Sequence, residues 1–366
     1  MLSLWEKRSF LHHDVIVVGS GITGLSTAIS LKEKAPKLDV LVLEKGLLPS
    51  GASTKNAGFA CFGSVSELVN DLEIMGEKGM LDLVKQRWEG LKITRKRLGD
   101  HTIDFQQKGG FELIFEKSDL SGHMQKLNGI LTSYFDQNVF RVSDRLNDFG
   151  FQKTANLIEN VFEGQLDTGK LMDGLWRLAM KMNIKIVTGA EVLKMDENKV
   201  FTSTHSFSAR AIALCTNAFT KSLLPDTELS PGRGMVLSIK PEGNLPFEGT
   251  FHYDSGFYYF RDFNDRLIFG GGRNLDFETE TTTEFGVNEQ IEKKLLSDLR
   301  TIILPERSWQ VEMKWAGIMA FGKNKAPIIK KVNDHLYAGI RLGGMGVALG
   351  SKVGEDLSSH ILSSAL

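Results

Sequence analysis

The chain has 366 residues, 44 lysines and arginines against 45 aspartates and glutamates, and a net charge of −1, which excludes a dedicated nucleic-acid binder with its basic excess. A hydrophobic share of 42% excludes a disordered chain, and two cysteines, Cys61 and Cys215, exclude a disulfide framework or a zinc cluster. The length suggests roughly two domains, and the cysteine usage fits a reducing, cytoplasmic compartment.

Residues 14–19 read as a short buried strand ended by glycine, 21–34 as a helix closed by Pro36, and 39–44 as a second buried strand. The uncharged run 15–31 is broken by Gly19, Gly21, Gly24 and several hydroxyl residues, so no integral membrane or signal segment is expected. A Gly/Ala/Ser-rich loop covers 47–63, and an amphipathic helix follows over 66–98. Strands are expected at 103–105 and 110–115, and a helix at 120–135. Thr168 reads as the N-cap of a helix over 168–183, followed by strands at 184–188, 192–195, 200–204 and 207–214. From 234 to 272 the pattern is strand after strand, with a turn at Asn264-Asp265. A helix over 284–303, strands over 309–320 and 336–340, and a last helix over 346–362 complete the chain.

The most informative stretch is Gly19-Ser20-Gly21-Ile22-Thr23-Gly24, a GxGxxG run between strand and helix. The first glycine allows the tight turn, the second lets the backbone approach a pyrophosphate, and the third lets helix and strand pack closely. The helix start at Ile22 and Thr23 then offers free N–H groups and a partial positive charge. Glu44 ends the second strand, where a carboxylate accepts hydrogen bonds from a ribose diol. Strand, helix, strand and terminal acid together predict a site for an adenine dinucleotide.

Three features favour FAD over NAD: the early position of the motif, the small-residue loop 51–59, and a second glycine turn, Gly343-Gly344-Met345-Gly346, before the last helix. Two helix N-termini suit a ligand with two separated polar ends, pyrophosphate at one and the flavin pyrimidine edge at the other. On these motifs the sequence resembles the FAD-dependent oxidoreductases of the D-amino-acid oxidase superfamily, the group with glycine oxidase, sarcosine oxidase and γ-glutamylputrescine oxidase. The resembling pieces include DVIVVGSGITGLSTA, LEKGLLPSGASTKNAGF, PGRGMVL, RLIFGGG, WAGIMAFGKNKAPII and LYAGIRLGGMGVALGSKVGEDLS, and they span nearly the whole chain.

The resemblance implies a mixed α/β and α+β fold. A Rossmann-like FAD-binding domain with a parallel sheet, from 1–98, 150–225 and 320–366, would be interleaved with a substrate domain on an antiparallel sheet, from 99–149 and 226–319. It places Glu44 and Lys45 after the second strand, Val192 near the adenine, and Thr216 and Asn217 after a returning strand. Ser53, Asn56, Ala57 and Gly58 fall near pyrophosphate and flavin, and Gly343 to Val347 offers N–H groups to the flavin carbonyl. The implied reaction is oxidation of the CH–NH bond of a small amine or amino acid by hydride transfer to flavin N5, followed by imine hydrolysis, with oxygen or another electron acceptor closing the cycle. A CH–OH dehydrogenase acting on a 2-hydroxy acid or glycerol phosphate, and an FAD-binding redox protein without turnover, are the alternatives.

One departure stands out. Amino-acid-oxidising members often hold the substrate carboxylate with an arginine just after a Trp-x-Gly segment, and this chain has Trp315-Ala316-Gly317-Ile318-Met319. Arg341 is the expected replacement, with backbone capping as the competing reading. Lys55 either binds an anion or activates oxygen, or is simply solvated. By the resemblance the segment 251–261 lines the substrate side, where His252, Tyr253, Tyr258 and Tyr259 are candidates to hold an amine or a carboxylate, with plain sheet packing as the competing reading for each, and alternation sends Tyr258 and Tyr259 to opposite faces. His12 and His13 read as exposed terminal residues, and Arg261, Arg266 and Arg273 as surface charges. No cysteine lies near Gly317, so non-covalent FAD is expected.

Overall fold

The computed structural model describes residues 2–116 and 120–365. His12–Val18 and Val40–Leu43 are strands because their aliphatic, β-branched runs can be buried on both faces. They pair in parallel, Val15 to Val40 through Val18 to Leu43, with helix Ile22–Lys34 as the crossover. The first sheet runs in the order Ile328–Lys331, Leu336–Ile340, Ser206–Leu214, His12–Val18, Val40–Leu43, Lys185–Val187. Its five central and distal strands are parallel, and Ile328–Lys331 adds an antiparallel edge that the sequence reading missed. The last helix, Gly346–Ser364, lies on the helix Ile22–Lys34, so opposite ends of the chain share one layer. The contact is close: a Cβ on Gly354 would sit 2.7 Å from Ser26 Cβ.

The second sheet has the order Trp309–Phe321, Ser230–Pro241, Arg266–Gly271, Tyr258–Phe263, Thr250–Tyr253, Gly110–Ile114, Asn156–Asn160, Phe140–Val142. It is antiparallel except where Thr250–Tyr253 meets Gly110–Ile114 in parallel. Its buried face carries an aromatic core in which Phe251 and Phe260 stack at 4.8 Å. Strand Asn156–Asn160 pairs here, so the stretch assigned to the cofactor segment from 150 onward begins in the wrong sheet.

Several local expectations change. Residues 100–103 form a helical turn, not a strand, because the left-handed Asp104 (φ 50°) closes it while Ile103 is fully buried. Helix Val65–Leu98 is broken at Gly76, where φ is 71°. Asp167, not Thr168, caps helix Thr168–Lys181 by accepting from Lys170 N, and the Thr168 hydroxyl instead donates to Asn56 Oδ1 at 2.9 Å. The run 251–263 is a hairpin, turned at Asp254 and Ser255 with φ of 52° and 53°. His13 is buried within the first strand, its ring between Asp39 and the Phe10 carbonyl, and is no terminal ornament.

Candidate active site

Gly19 has φ of 102°, a conformation open to glycine, and its carbonyl would lie 1.8 Å from a Cβ on Gly24. Strand end and helix start therefore touch backbone to backbone. Glu44 closes the loop from the next strand: its Oε2 accepts from Ser20 N at 3.0 Å and from Ser20 Oγ at 2.7 Å, and its Oε1 accepts from Gly46 N at 3.0 Å. Ser53 Oγ accepts from Ile22 N at 3.0 Å, at a helix start that has no capping side chain of its own. Beside it the Thr23 hydroxyl is buried without a hydrogen-bond partner. An orphaned hydroxyl and uncapped N–H groups behind side-chain-free backbone are the donor set a pyrophosphate requires, so the residues present fit the cofactor.

The second turn is also prepared. Gly343 and Gly344 have φ of 55° and 83°, and helix Gly346–Ser364 starts without a side-chain cap. Gly343 N donates to Ala320 O and Met345 N to Leu342 O, both at 2.9 Å. The groups left to face a ligand are those of Gly344, Gly346 and Val347, a correction to the whole-turn expectation. Asn217 acts indirectly: its Oδ1 accepts from Arg341 N at 3.0 Å and Leu342 N at 3.4 Å, which holds the turn in place.

Arg261, expected at the surface, is 3% exposed and builds the loop between these turns. Its guanidinium donates to the carbonyls of Ala57, Gly58 and Leu166 at 3.2, 3.0 and 2.7 Å. Burial pulls it down to about 10, still well above neutrality. Asn56 folds the same loop, donating to Ser53 O and accepting from Gly58 N. Asn56 and Ala57 line the cavity, whereas Gly58 and Gly24 do not and act by permitting close packing.

A cavity of about 690 Å³ joins these parts. One end is bordered by Glu44, Lys45, Val192, Thr216 and Phe219, with the Lys45 ammonium 3.9 Å from the Phe219 ring centre. The other end, beyond the second turn, is bordered by Phe59, Tyr259, His252, Met319 and Lys55. Tyr259 and His252 meet the edge of Phe59 at 5.6 and 5.1 Å. Tyr258 turns away and stacks on Tyr253 at 4.8 Å, as alternation requires. Burial pushes the Tyr259 phenol up to about 12, so it stays a neutral donor. Burial alone would lower His252, but Glu163, Glu67 and Glu112 more than offset it and hold the ring above its ordinary value. Its Nε2 lies 3.7 Å from Glu163, without a hydrogen bond.

Three residues that border this end were not singled out from the sequence: Glu67, Asp71 and Lys325, with Lys325 Nζ 2.9 Å from Asp71 and 3.6 Å from Glu67. Burial would raise Glu67, but Lys325, His252 and Arg87 keep it below the usual carboxylate value. The substitute role for Arg341 fails. Its guanidinium donates to Ala326 O at 2.9 and 3.1 Å, to Glu228 O at 3.2 Å and to Asn324 Oδ1 at 3.2 Å, and it does not border the cavity. It caps backbone, and its own φ of 65° aims it away from the turn.

Among the described residues no helix is long and apolar enough to cross a membrane. The family profile described as FAD dependent oxidoreductase matches residues 14–359. Probable oxidoreductase OrdL of Haemophilus influenzae is 22% identical over 372 residues, covering 96% of this chain and 83% of the relative. Gamma-glutamylputrescine oxidoreductase of Escherichia coli is 22% identical, covering 91% and 80%. The crystal structure of glycine oxidase from Bacillus cereus superposes with a TM-score of 0.77 at 18% identity, covering 96% of this chain and 95% of that one. Profile, fold and the two prepared glycine turns agree that the chain belongs to the FAD dependent oxidoreductase family, the D-amino-acid oxidase type, and that FAD is its cofactor.

Proposed function

We propose that the chain oxidises the CH–NH bond of a small amine or amino acid. The supporting observation is the chamber beyond the Gly343–Gly346 turn, which is continuous with the dinucleotide cradle and walled by a neutral phenol, a methionine and aromatic edges. Bound FAD supplies the two-electron chemistry, taking a hydride from the carbon beside the nitrogen. The amine nitrogen enters neutral, its proton lost to water, and the imine formed takes up water to give a carbonyl compound and a free amine or ammonia. No strong base is needed for that sequence, which suits a wall where the Tyr259 phenol is held neutral and His252 is held toward its protonated form. Tyr259 serves as a hydrogen-bond donor to the substrate, and Phe59 and Met319 exclude water around the reacting carbon.

The relatives point the same way by their names, gamma-glutamylputrescine oxidoreductase and glycine oxidase acting on carbon–nitrogen bonds. The non-covalent attachment rests on both thiols. Burial raises Cys61 and pushes Cys215 up to about 12, so neither is a ready nucleophile. The cofactor unit is built from both chain ends and the 206–214 strand, and the substrate unit from the middle.

The test is anaerobic bleaching of the yellow protein by a panel of amines, amino acids and hydroxy acids. Bleaching by nitrogen compounds, with an amine or ammonia among the products, is expected, and acid precipitation should leave the flavin in the supernatant. Bleaching by hydroxy acids alone, or by nothing, refutes the reading.

A further inference from the structure

Met319 stands where relatives of the resembled group carry a carboxylate-binding arginine, and its side chain fills the gap between two glycines. A Cβ on Gly234 would meet Met319 Cε at 2.6 Å, and one on Gly344 would meet its Sδ at 3.4 Å. The other cations at the cavity differ in their commitments. Lys325 is tied to Asp71, Lys323 to Glu228, and Lys45 lies over Phe219 at the far end. Lys55 reaches out to 5.9 Å from Phe285. Arg273 is the one arginine that borders the cavity, and among the described residues its guanidinium has no hydrogen bond or ion pair.

Its placement has a cause in the chain. Strand Arg266–Gly271 ends in Gly271 and Gly272 with φ of 117° and 79°, a turn that L side chains rarely adopt. The next residue is thereby carried across to the neighbouring strand, where a Cβ on Gly232 would sit 3.3 Å from Arg273 Nη1. Gly232 is paired directly with Met319. The guanidinium carbon lies 3.9 Å from the Phe321 ring centre and 4.7 Å from that of Phe277. Contact with the ring faces holds the cation in place without using its N–H donors, which leaves them for a ligand. The acid whose charge acts on it, Glu280, is already spent on Arg233, which it holds by two bonds of 2.9 and 2.8 Å. Burial pulls Arg273 below its ordinary value, though it stays charged, so a half-buried cation sits at the chamber without a counter-ion.

We propose that Arg273 binds the substrate carboxylate, replacing from the end of a strand two places away in the sheet the arginine that Met319 displaces, so that the substrates are amino acids rather than simple amines. This rests on the amine-oxidation reading above. A planar guanidinium offers two parallel N–H donors to a carboxylate, the pairing that gives both strength and orientation. Orientation is what turnover needs, since the carbon bearing nitrogen must be presented at a fixed distance from the cofactor.

The experiment compares Arg273→Met and Arg273→Lys with the wild type, all loaded with FAD. The first measurement is the flavin spectrum titrated with propionate, a carboxylate that cannot be oxidised here. A saturable spectral change is expected in the wild type and weakened about 100-fold in Arg273→Met, the size of a lost charge-assisted pair, with partial recovery in Arg273→Lys. The second measurement compares an amino acid that bleaches the wild type with its decarboxylated amine. KM for the amino acid should rise about 100-fold in Arg273→Met, with the amine within about threefold. Equal propionate binding in wild type and Arg273→Met, or equal losses on both substrates, overturns the role of Arg273 and leaves amine oxidation standing. A wild type that prefers carboxylate-free amines also overturns it. A wild type that no nitrogen compound bleaches, yet which binds propionate through Arg273, overturns the reaction and keeps the anion site.

Discussion

At the residue scale, Gly24 shows what the fingerprint is for. The third glycine of the run does not border the cavity, yet any side chain there collides with the Gly19 carbonyl. Gly24→Ala should therefore force strand and helix apart, costing about 1–3 kcal/mol of stability and most of the bound flavin. Gly129, in an ordinary helix with open space around it, is the contrast. Gly129→Ala should keep full flavin content and gain about 0.5–1 kcal/mol by limiting the unfolded chain. Flavin absorbance per protein and urea unfolding of both variants decide it, and equal flavin loss would remove the special role of Gly24. The spacing of the glycines and Glu44 was readable without coordinates because the strand–helix–strand unit imposes it, whereas Ser53 followed only from the family resemblance. Arg261 and Arg273 were misjudged as surface charges, and of the two readings of Arg341 the backbone cap is the one its contacts match. Arg273 and Arg341 sit beside turns and Arg261 inside a strand, and sequence does not say which distant carbonyls, rings or cavities a long side chain will meet.

At the scale of elements, the hairpin Thr250–Tyr253/Tyr258–Phe263 and the start of helix Val65–Leu98 enclose a charged cluster. His252, from the hairpin, faces Glu163, Glu67 and Glu112, while Lys325 and Arg87 balance Glu67. Because His252 titrates higher in the fold than in the free chain, its protonated form favours folding. That contribution is complete below about pH 6.5 and is lost as pH rises through the folded value. Glu67 is held low, so its contribution is present above the ordinary carboxylate range and is lost in acid. Resistance of the FAD-loaded protein to thermal unfolding should fall as pH rises above about 6.5, and His252→Gln should flatten that slope. An unchanged slope in the variant would assign the pH dependence elsewhere. The cluster was invisible in sequence, since its acids are 45 and more residues apart along the chain. The hairpin itself was predicted as alternating strand, and alternation correctly separated Tyr258 from Tyr259.

At the scale of the whole molecule, the first and last helices of the cofactor layer pack on each other, and the long helix Val65–Leu98 lies against the last one as well. The cofactor cradle exists only when both chain ends are in place, while the substrate sheet closes the cavity from the middle. FAD should therefore stabilise the molecule as one unit. A single unfolding transition is expected, shifted upward by about 2.7 kcal/mol at a hundredfold excess of FAD over its Kd. Differential scanning calorimetry with and without FAD tests this, and two transitions with only one responding to FAD would contradict it.

The sequence by itself determined the dinucleotide cradle, the second glycine turn and the strand–helix–strand opening, because each depends on neighbours within a few residues: backbone room, strand burial, a free helix start. Tertiary structure alone decided which cations face the chamber, how Glu44 and Asn217 serve by holding loops, and that His252 lives among buried acids. Those facts depend on contacts between segments far apart in the chain, and on which turn conformation carries each side chain toward the cavity or away from it.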